Sequence, residues 1–256
     1  MFYNILSCVC SHVGNIRTKN DDNVCFNGIV NIQNNKELFL QSVEKPISTL
    51  NTSIFAIFDG IGGFSESQIA SKLASDVFAD YINNLGTVQN LFNTNIPKIL
   101  NELCLKANDI ICQKRLDTHL NLGTTCACVV FKNNSLYICN VGDSKIFRFY
   151  NNELTQISMD HVSNFLSSSN KPKIYQYLGL NEIDVIIEPY IEKFKILPNE
   201  IYLLCSDGLT DLVSLEKISQ VLNEKSSLEQ SLQILLNEAL NNGGNDNISI
   251  ILCEVQ

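Results

Sequence analysis

The sequence predicts an α+β fold in which antiparallel sheets carry helices on their outer faces. Three observations support this. Nine strand-like stretches follow one another mostly in hairpin order, and the helical segments fall into two groups, one after the early strands and one near the end. No repeat, low-complexity tract or Pro/Gly linker divides the chain, whose five prolines are scattered. Regular βαβ alternation would interleave helices and strands, so a parallel sheet is disfavoured. With 256 residues, 45% of them apolar and 18% charged, the chain is expected to form a single domain over 1–256 with a substantial core.

The elements can be justified in order. Strand-like stretches cover 2–13, 23–31 and 53–58. "SESQIASKLASDVFADYINNL" then carries Ile69, Leu73, Val77 and Tyr81 or Ile82 on one helical face, with Ser65 and Gln68 placed for an N-cap and capping box. "IPKILNELCLKANDIICQKRL" repeats that periodicity, with Pro97 near its start. Further strands are expected at 124–131, 135–141 and 144–150, with turns at Gly142-Asp143 and Asn151-Asn152. Stretches at 184–195, 200–206 and 247–255 complete the strands. "SLEKISQVLNE" and "SLEQSLQILLNEALNN" supply two late helices, the last stopped by Gly243-Gly244.

Composition narrows the function. A net charge of -9 argues against nucleic acid as a partner and against a basic membrane-docking face. The N-terminus "MFYNILSCVCSHVG" lacks the basic region of a signal peptide, and no apolar run is long enough for a membrane span. A cytoplasmic, monomeric protein is expected. None of the ten cysteines forms a C-x-x-C pair. Cys8/Cys10 and Cys126/Cys128 each fall on one face of a strand, so reduced core cysteines are expected, not disulfides or a zinc site.

The apolar run Ile54-Phe55-Ala56-Ile57-Phe58 ends on Asp59, with Gly60, Gly62 and Gly63 directly behind it. The pattern recurs. "IYLLCSDGLTD" places Asp207 after an apolar strand and "NVGDSKIF" places Asp143 after Val141-Gly142. "NNGGNDNISIILCEV" puts Asp246 just before a strand, and "RTKNDDNVCF" puts Asp21 and Asp22 before another, with Arg17 close upstream. Any one of these could be an ordinary turn aspartate. Together they form a set of carboxylates that cannot converge without cations between them. Magnesium and manganese suit such oxygen-rich sites, whereas three histidines without zinc-like spacing do not suggest zinc. A glycine at position 60 lets its carbonyl turn toward a metal. Two ions sharing Asp59 could activate water and hold a phosphoryl group for in-line attack.

The blocks "GNIRTKNDDN", "FDGIGG", "LGTTCACVVF", "NVGDSKIFRF", "MDHV", "LLCSDGLTDLV" and "GGNDNISIIL" occur in this order over nearly the whole chain. In them the chain resembles the metal-dependent Ser/Thr protein phosphatases of the type 2C (PPM) family, especially compact bacterial members. The resemblance implies a four-layer αββα sandwich: two antiparallel sheets flanked by helices, with the metals in a cleft at one end. It implies two Mn2+ or Mg2+ ions bridged by Asp59, with Asp207 and Asp246 on the first and the Gly60 carbonyl on the second. Asp22 and Asp21 would hold metal-bound waters, and Arg17 would bind phosphate. Asp143 and Asp211, with Asp207, match a third metal site of bacterial relatives.

The chain departs from the family pattern in four places. Asp21 stands where many relatives have Glu, and Ile61 stands where some have a histidine proposed as general acid. The flap after "MDHV" is short, and the link at 31–52 is long. His161 is expected to serve as a hydrogen-bonding residue at the flap base, and Thr124 and Thr125 to support the sheet beneath the metals. The function implied is hydrolysis of phosphoserine and phosphothreonine in phosphorylated proteins by a metal-bridging hydroxide, reversing a cognate Ser/Thr kinase. The alternatives are a pseudophosphatase that binds phosphoproteins and a phosphatase for a non-protein phosphoester.

Overall fold

A computed structural model describes residues 3–30, 43–46, 52–61, 66–84, 95–166, 172–181, 186–224 and 226–256. The chain opens with strands β1 (Asn4–His12), β2 (Asn23–Phe26), β3 (Val43–Pro46), β4 (Ser53–Phe58) and the short β5 (Gly60–Ile61). Helices α1 (Ser67–Asn84) and α2 (Ile96–Thr118) follow. The middle of the chain forms β6 (Gly123–Thr124), β7 (Cys126–Lys132), β8 (Ser135–Val141), β9 (Lys145–Tyr150) and β10 (Glu153–Gln156). Next come β11 (Val162–Leu166), β12 (Pro172–Ile174), β13 (Tyr190–Lys195) and β14 (Ile201–Cys205). Helices α3 (Asp207–Thr210), α4 (Leu215–Asn223) and α5 (Leu228–Asn241) lead into β15 (Ile248–Val255).

Two main sheets result, with strand orders β10-β9-β14-β15-β1-β3 and β13-β8-β7-β4-β2, and every pairing in them is antiparallel. Side chains alternate along each strand. On β7, Ala127, Val129 and Phe131 enter the core between the sheets, while Cys126, Cys128 and Val130 face α1 and α2. On β15, Ile251, Cys253 and Val255 face inward, while Ile248, Ile250 and Leu252 pack under α4 and α5. Because both faces of these strands are covered, they read as unbroken apolar runs although the sheets are antiparallel. The layers run helix, sheet, sheet, helix, as expected. An aromatic series, Phe26–Phe55–Phe131–Tyr202, crosses the inner core with ring centroids 5.1, 6.1 and 5.7 Å apart.

Local chemistry sets the element ends. Asn95 caps α2 by accepting from Lys98 N, and His119 closes that helix at φ 58°. Ser227 and Gln230 form a reciprocal capping box on α5. The stretch expected as a strand over 23–31 stops at Phe26, because Asn27 and Gly28 turn the chain at φ 51° and 89°. In the stretch expected at 184–195, residues 184 and 185 lie outside the described residues, 186–189 are not strand, and β13 begins at Tyr190. Ser65, expected as the cap of α1, lies outside the described residues, as do Gly62, Gly63 and most of the 31–52 link. All ten cysteines are free thiols, and nine are buried.

Candidate active site

The acidic strand ends gather at one end of the sandwich, where β4, β14 and β15 meet the loop before β2. Asp59 leaves the buried β4 and is clamped through its own backbone. Thr125 N and Thr124 Oγ1 both donate to its carbonyl at 2.9 Å, and its N–H donates to Thr125 Oγ1 at 3.0 Å. Thr125 is steadied in turn by Ser144 Oγ at 2.7 Å. The expectation that Thr124 and Thr125 support this end therefore has a specific form: they fix the peptide that carries Asp59.

Asp207 begins α3 directly after β14, and Gly208 allows that helix to press on the neighbouring chain. A Cβ on Gly208 would lie 1.9 Å from the Asn247 carbonyl oxygen. The close approach brings Asp207 beside the turn that carries Asp246. Asn247 then ties the third segment in. Its Nδ2 donates to Val13 O and Lys19 O, both at 2.9 Å, and its Oδ1 accepts from Asp21 N at 2.8 Å. Gly14, at φ 80°, sits where a Cβ would be 2.2 Å from Asp246 O. The loop bearing Arg17, Asp21 and Asp22 is thus bound to the segment bearing Asp246.

The electrostatics follow from this packing. Burial pushes the Asp59 carboxyl well above the usual range, and Asp22, Asp207, Asp143 and Asp246 each push it further. Asp22 is pushed up to about 7 by burial first and then by Asp207 and Asp246, against hydrogen bonds from Ser249 and Ser206. Burial and Asp207 raise Asp143 to about 6, while Lys145 pulls it down. Asp21 is raised by burial against the pull of Arg17. Arg17 Nη2 donates to Asp246 Oδ2 at 2.8 Å, so the cation and one acidic group of the set already pair. Asp211 is exposed and stands at the C-terminal end of α3, its N–H donating to Asp207 O at 2.8 Å.

These residues fit hard divalent cations. Asp21 Oδ1 and Asp22 Oδ2 are buried oxygens without a hydrogen-bond partner, an arrangement that is costly unless something positive meets them. Gly60 forms a tight cradle, because a Cβ there would lie 2.7 Å from both Asp21 O and Ser67 O. Among the described residues, no group of three His, Cys, Asp or Glu side chains is arranged to hold an ion unaided. Magnesium and manganese sites commonly complete a few carboxylates with carbonyls and water, so this set suits them better than zinc.

His161 is buried at the base of the β11–β12 hairpin. Its Nδ1 accepts from Gly142 N at 3.1 Å and its backbone N–H donates to Gly142 O at 2.9 Å. That is a structural link between the flap base and the turn holding Asp143. Ile61 pairs with Gly123 and brings no titratable group. Sequence reasoning assigned no role to Asn247, to Ser71, whose Oγ donates to Asp21 O at 2.5 Å, or to the Lys145–Asp160 ion pair. Asn247 and Asp160 lie within quoted blocks, but a side-chain hub leaves no periodic trace.

The model of the protein phosphatase 2C family matches residues 47–246. The serine/threonine phosphatase stp of Listeria monocytogenes is 28% identical over 222 residues, covering 80% of this chain and 85% of that protein. The serine/threonine protein phosphatase PstP of Mycobacterium tuberculosis is 27% identical over 216 residues, covering 79% of this chain and 40% of that longer protein. Among solved structures, the PstP catalytic domain with two manganese ions superposes with a TM-score of 0.75 at 23% identity, covering 98% of this chain and 99% of that one. A bacterial serine phosphatase does so with a TM-score of 0.78 at 23% identity, covering 98% and 97%. The chain belongs to the protein phosphatase 2C family and is a protein phosphatase.

Proposed function

We propose that the acidic end of the sandwich holds two divalent cations, manganese in preference to magnesium, and that the chain hydrolyses phosphoserine and phosphothreonine in proteins. One observation carries this reading: five aspartates from five separate segments converge, and Asp22, Asp207, Asp143 and Asp246 each oppose the charge on Asp59. The two manganese ions of the PstP catalytic domain support the choice of metal. Asp59 would bridge the ions, with Asp207 and Asp246 on one and the Gly60 carbonyl on the other. Asp22 and Asp21 would act through water, and Asp143, Asp207 and Asp211 would offer a weaker third site. When bound, such a pair lowers the pKa of water and neutralises charge on phosphoryl oxygens.

The chain's own residues do the remaining work. Arg17 has a planar guanidinium whose fork can serve Asp246 and a phosphoryl oxygen together, which orients the phosphate over the carboxylates. Water attacks phosphorus opposite the Ser or Thr oxygen, the bond to that oxygen breaks, and no side chain is phosphorylated. Ile61 offers no proton, so the departing alkoxide takes one from solvent. The substrates are phosphorylated proteins, and the opposing activity is a Ser/Thr kinase. The binding-module alternative is weakened because none of the expected aspartates is missing. No described helix is long and apolar enough to cross a membrane.

The test is hydrolysis of p-nitrophenyl phosphate and a phosphothreonine peptide with manganese, magnesium or chelator, on wild type and Asp59→Ala. Manganese-dependent turnover of the peptide, lost in the variant, supports the reading. Turnover that survives chelation or Asp59→Ala overturns it.

A further inference from the structure

One face of α2 reaches the candidate site without touching it. Asn108, Cys112 and Arg115 lie at the i, i+4 and i+7 positions of that helix, a spacing that stacks side chains on one face. All three bond the main chain of the same short segment, residues 178–180. Asn108 Oδ1 accepts from Gly179 N at 2.7 Å, Cys112 Sγ donates to Leu180 O at 3.1 Å, and Arg115 Nη1 donates to Gly179 O. The segment has little room to shift. Gly179 has φ 106°, and a Cβ there would lie 2.6 Å from Leu122 O and 2.8 Å from Ile111 Cγ2. Asn108 is fully buried, and its Nδ2 has no partner. An amide buried at that cost is explained by what its oxygen holds.

From this segment the path to Asp59 is continuous. Leu178 and Thr124 exchange both backbone hydrogen bonds, at 2.8 and 2.9 Å. Thr124 Oγ1 then donates to Asp59 O at 2.9 Å. We propose that Asn108, Cys112 and Arg115 are positioning residues for the phosphatase reaction. They hold residues 178–180 so that Thr124 fixes the Asp59 peptide, and with it the direction of the Asp59 carboxylate toward the cations. The proposal rests on Asp59 being a metal ligand. It differs from a role in merely fastening α2 to the sheet, because fastening alone would affect stability without affecting the metal.

The experiment compares wild type, Arg115→Met, Arg115→Lys, Thr124→Val and the Arg115→Met/Thr124→Val double variant. Manganese affinity is measured by calorimetry, kcat and KM with p-nitrophenyl phosphate, and stability in urea. Arg115→Met keeps the aliphatic stem of a half-buried helix residue, so the variant folds. It is expected to weaken manganese binding or kcat by about tenfold, as loss of a partner behind a metal ligand does. KM stays unchanged, and Arg115→Lys recovers most of the loss. The double variant should be no worse than Thr124→Val alone, since both act through one path. Manganese affinity and kcat within about twofold of wild type in Arg115→Met, or losses that simply multiply in the double variant, would overturn the proposal. Wild type that binds manganese without turnover would fail the phosphatase reading and leave the affinities to decide this one.

Discussion

Two buried carboxylates mark the two ends of β14 and have opposite surroundings. Glu200, fully buried just before the strand, accepts from Arg148 Nη2, from the Tyr202 hydroxyl and from Leu197 N at 2.9 Å. Asp22 is 5% exposed and lies against Ser206, just beyond the other end of the strand. It has one oxygen without a partner and faces Asp207 and Asp246. Glu200 has been given its donors by the fold, so it works as a clamp between β9 and β14. Asp22 keeps one oxygen that the fold gives no donor, and Asp207 and Asp246 oppose its charge. A protein can leave charge so poorly matched where a ligand completes it, which is how perturbed carboxylates come to mark functional sites.

The largest effect that would test this contrast comes from removing acidic groups. Asp207→Ala or Asp246→Ala should lower manganese-dependent kcat by at least about a thousandfold, as loss of the charge-stabilising apparatus does. In chelator, Asp59→Asn should melt at a higher temperature than wild type, because burial and four neighbouring carboxylates disfavour the native charge. A lower melting temperature would mean that the acidic end is as well partnered as Glu200, and the contrast would fall.

The converse experiment is Glu200→Ala. It strands Arg148 and the Tyr202 hydroxyl, so it should cost about 3 kcal/mol of stability, near the lower end for breaking a buried pair because Arg148 remains 31% exposed. Urea unfolding measures the loss. Metal-dependent kcat, measured where the variant is folded, should stay within about twofold of wild type, since the two ends are well separated.

Much of this arrangement could be read in the sequence. The β7–β8 and β9–β10 turns announce themselves because Asn133, Asn134, Asn151 and Asn152 take positive φ, which asparagine tolerates. The buried strands are visible as apolar runs, and the aspartates stand out because they end those runs. Edge strands are harder to see. β10 reads Glu-Leu-Thr-Gln with one partly buried residue, and β12 is three residues long, so neither has a pattern to detect. α3 was hidden for a similar reason: four residues beginning Asp-Gly look like a turn. The Arg17–Asp246 pair, the Asn247 hub and the hold of α2 on residues 178–180 join segments far apart in the chain, and local spacing cannot reveal them.

A smaller effect comes from pH. Burial and like charge raise Asp22 from 3.8 to about 7 and Asp143 from 3.8 to about 6. A carboxyl raised in the folded state contributes stability that is full below its unfolded value and is lost as pH rises through the folded value. In chelator, the urea midpoint should therefore fall between about pH 4 and about pH 7. With manganese the added stabilisation should grow over the same interval, because the ligands must lose their protons to bind. A midpoint in chelator that rises with pH would show that other groups dominate, and would remove the electrostatic half of the contrast.

The smallest effect is expected at Asp211, which belongs to the acidic set by sequence but differs from it in solvent access. It is exposed at the end of α3, so its charge is hydrated and the fold does not depend on a cation to tolerate it. Asp211→Asn should change stability by no more than about 0.5 kcal/mol, with or without manganese. Any consequence should appear only in how kcat depends on manganese concentration, where a weakly held third ion would be lost at the low end of the titration. A stability change as large as that of a buried aspartate would place Asp211 among the under-partnered groups. The boundary between the hydrated and the cation-dependent carboxylates would then have to be redrawn around α3.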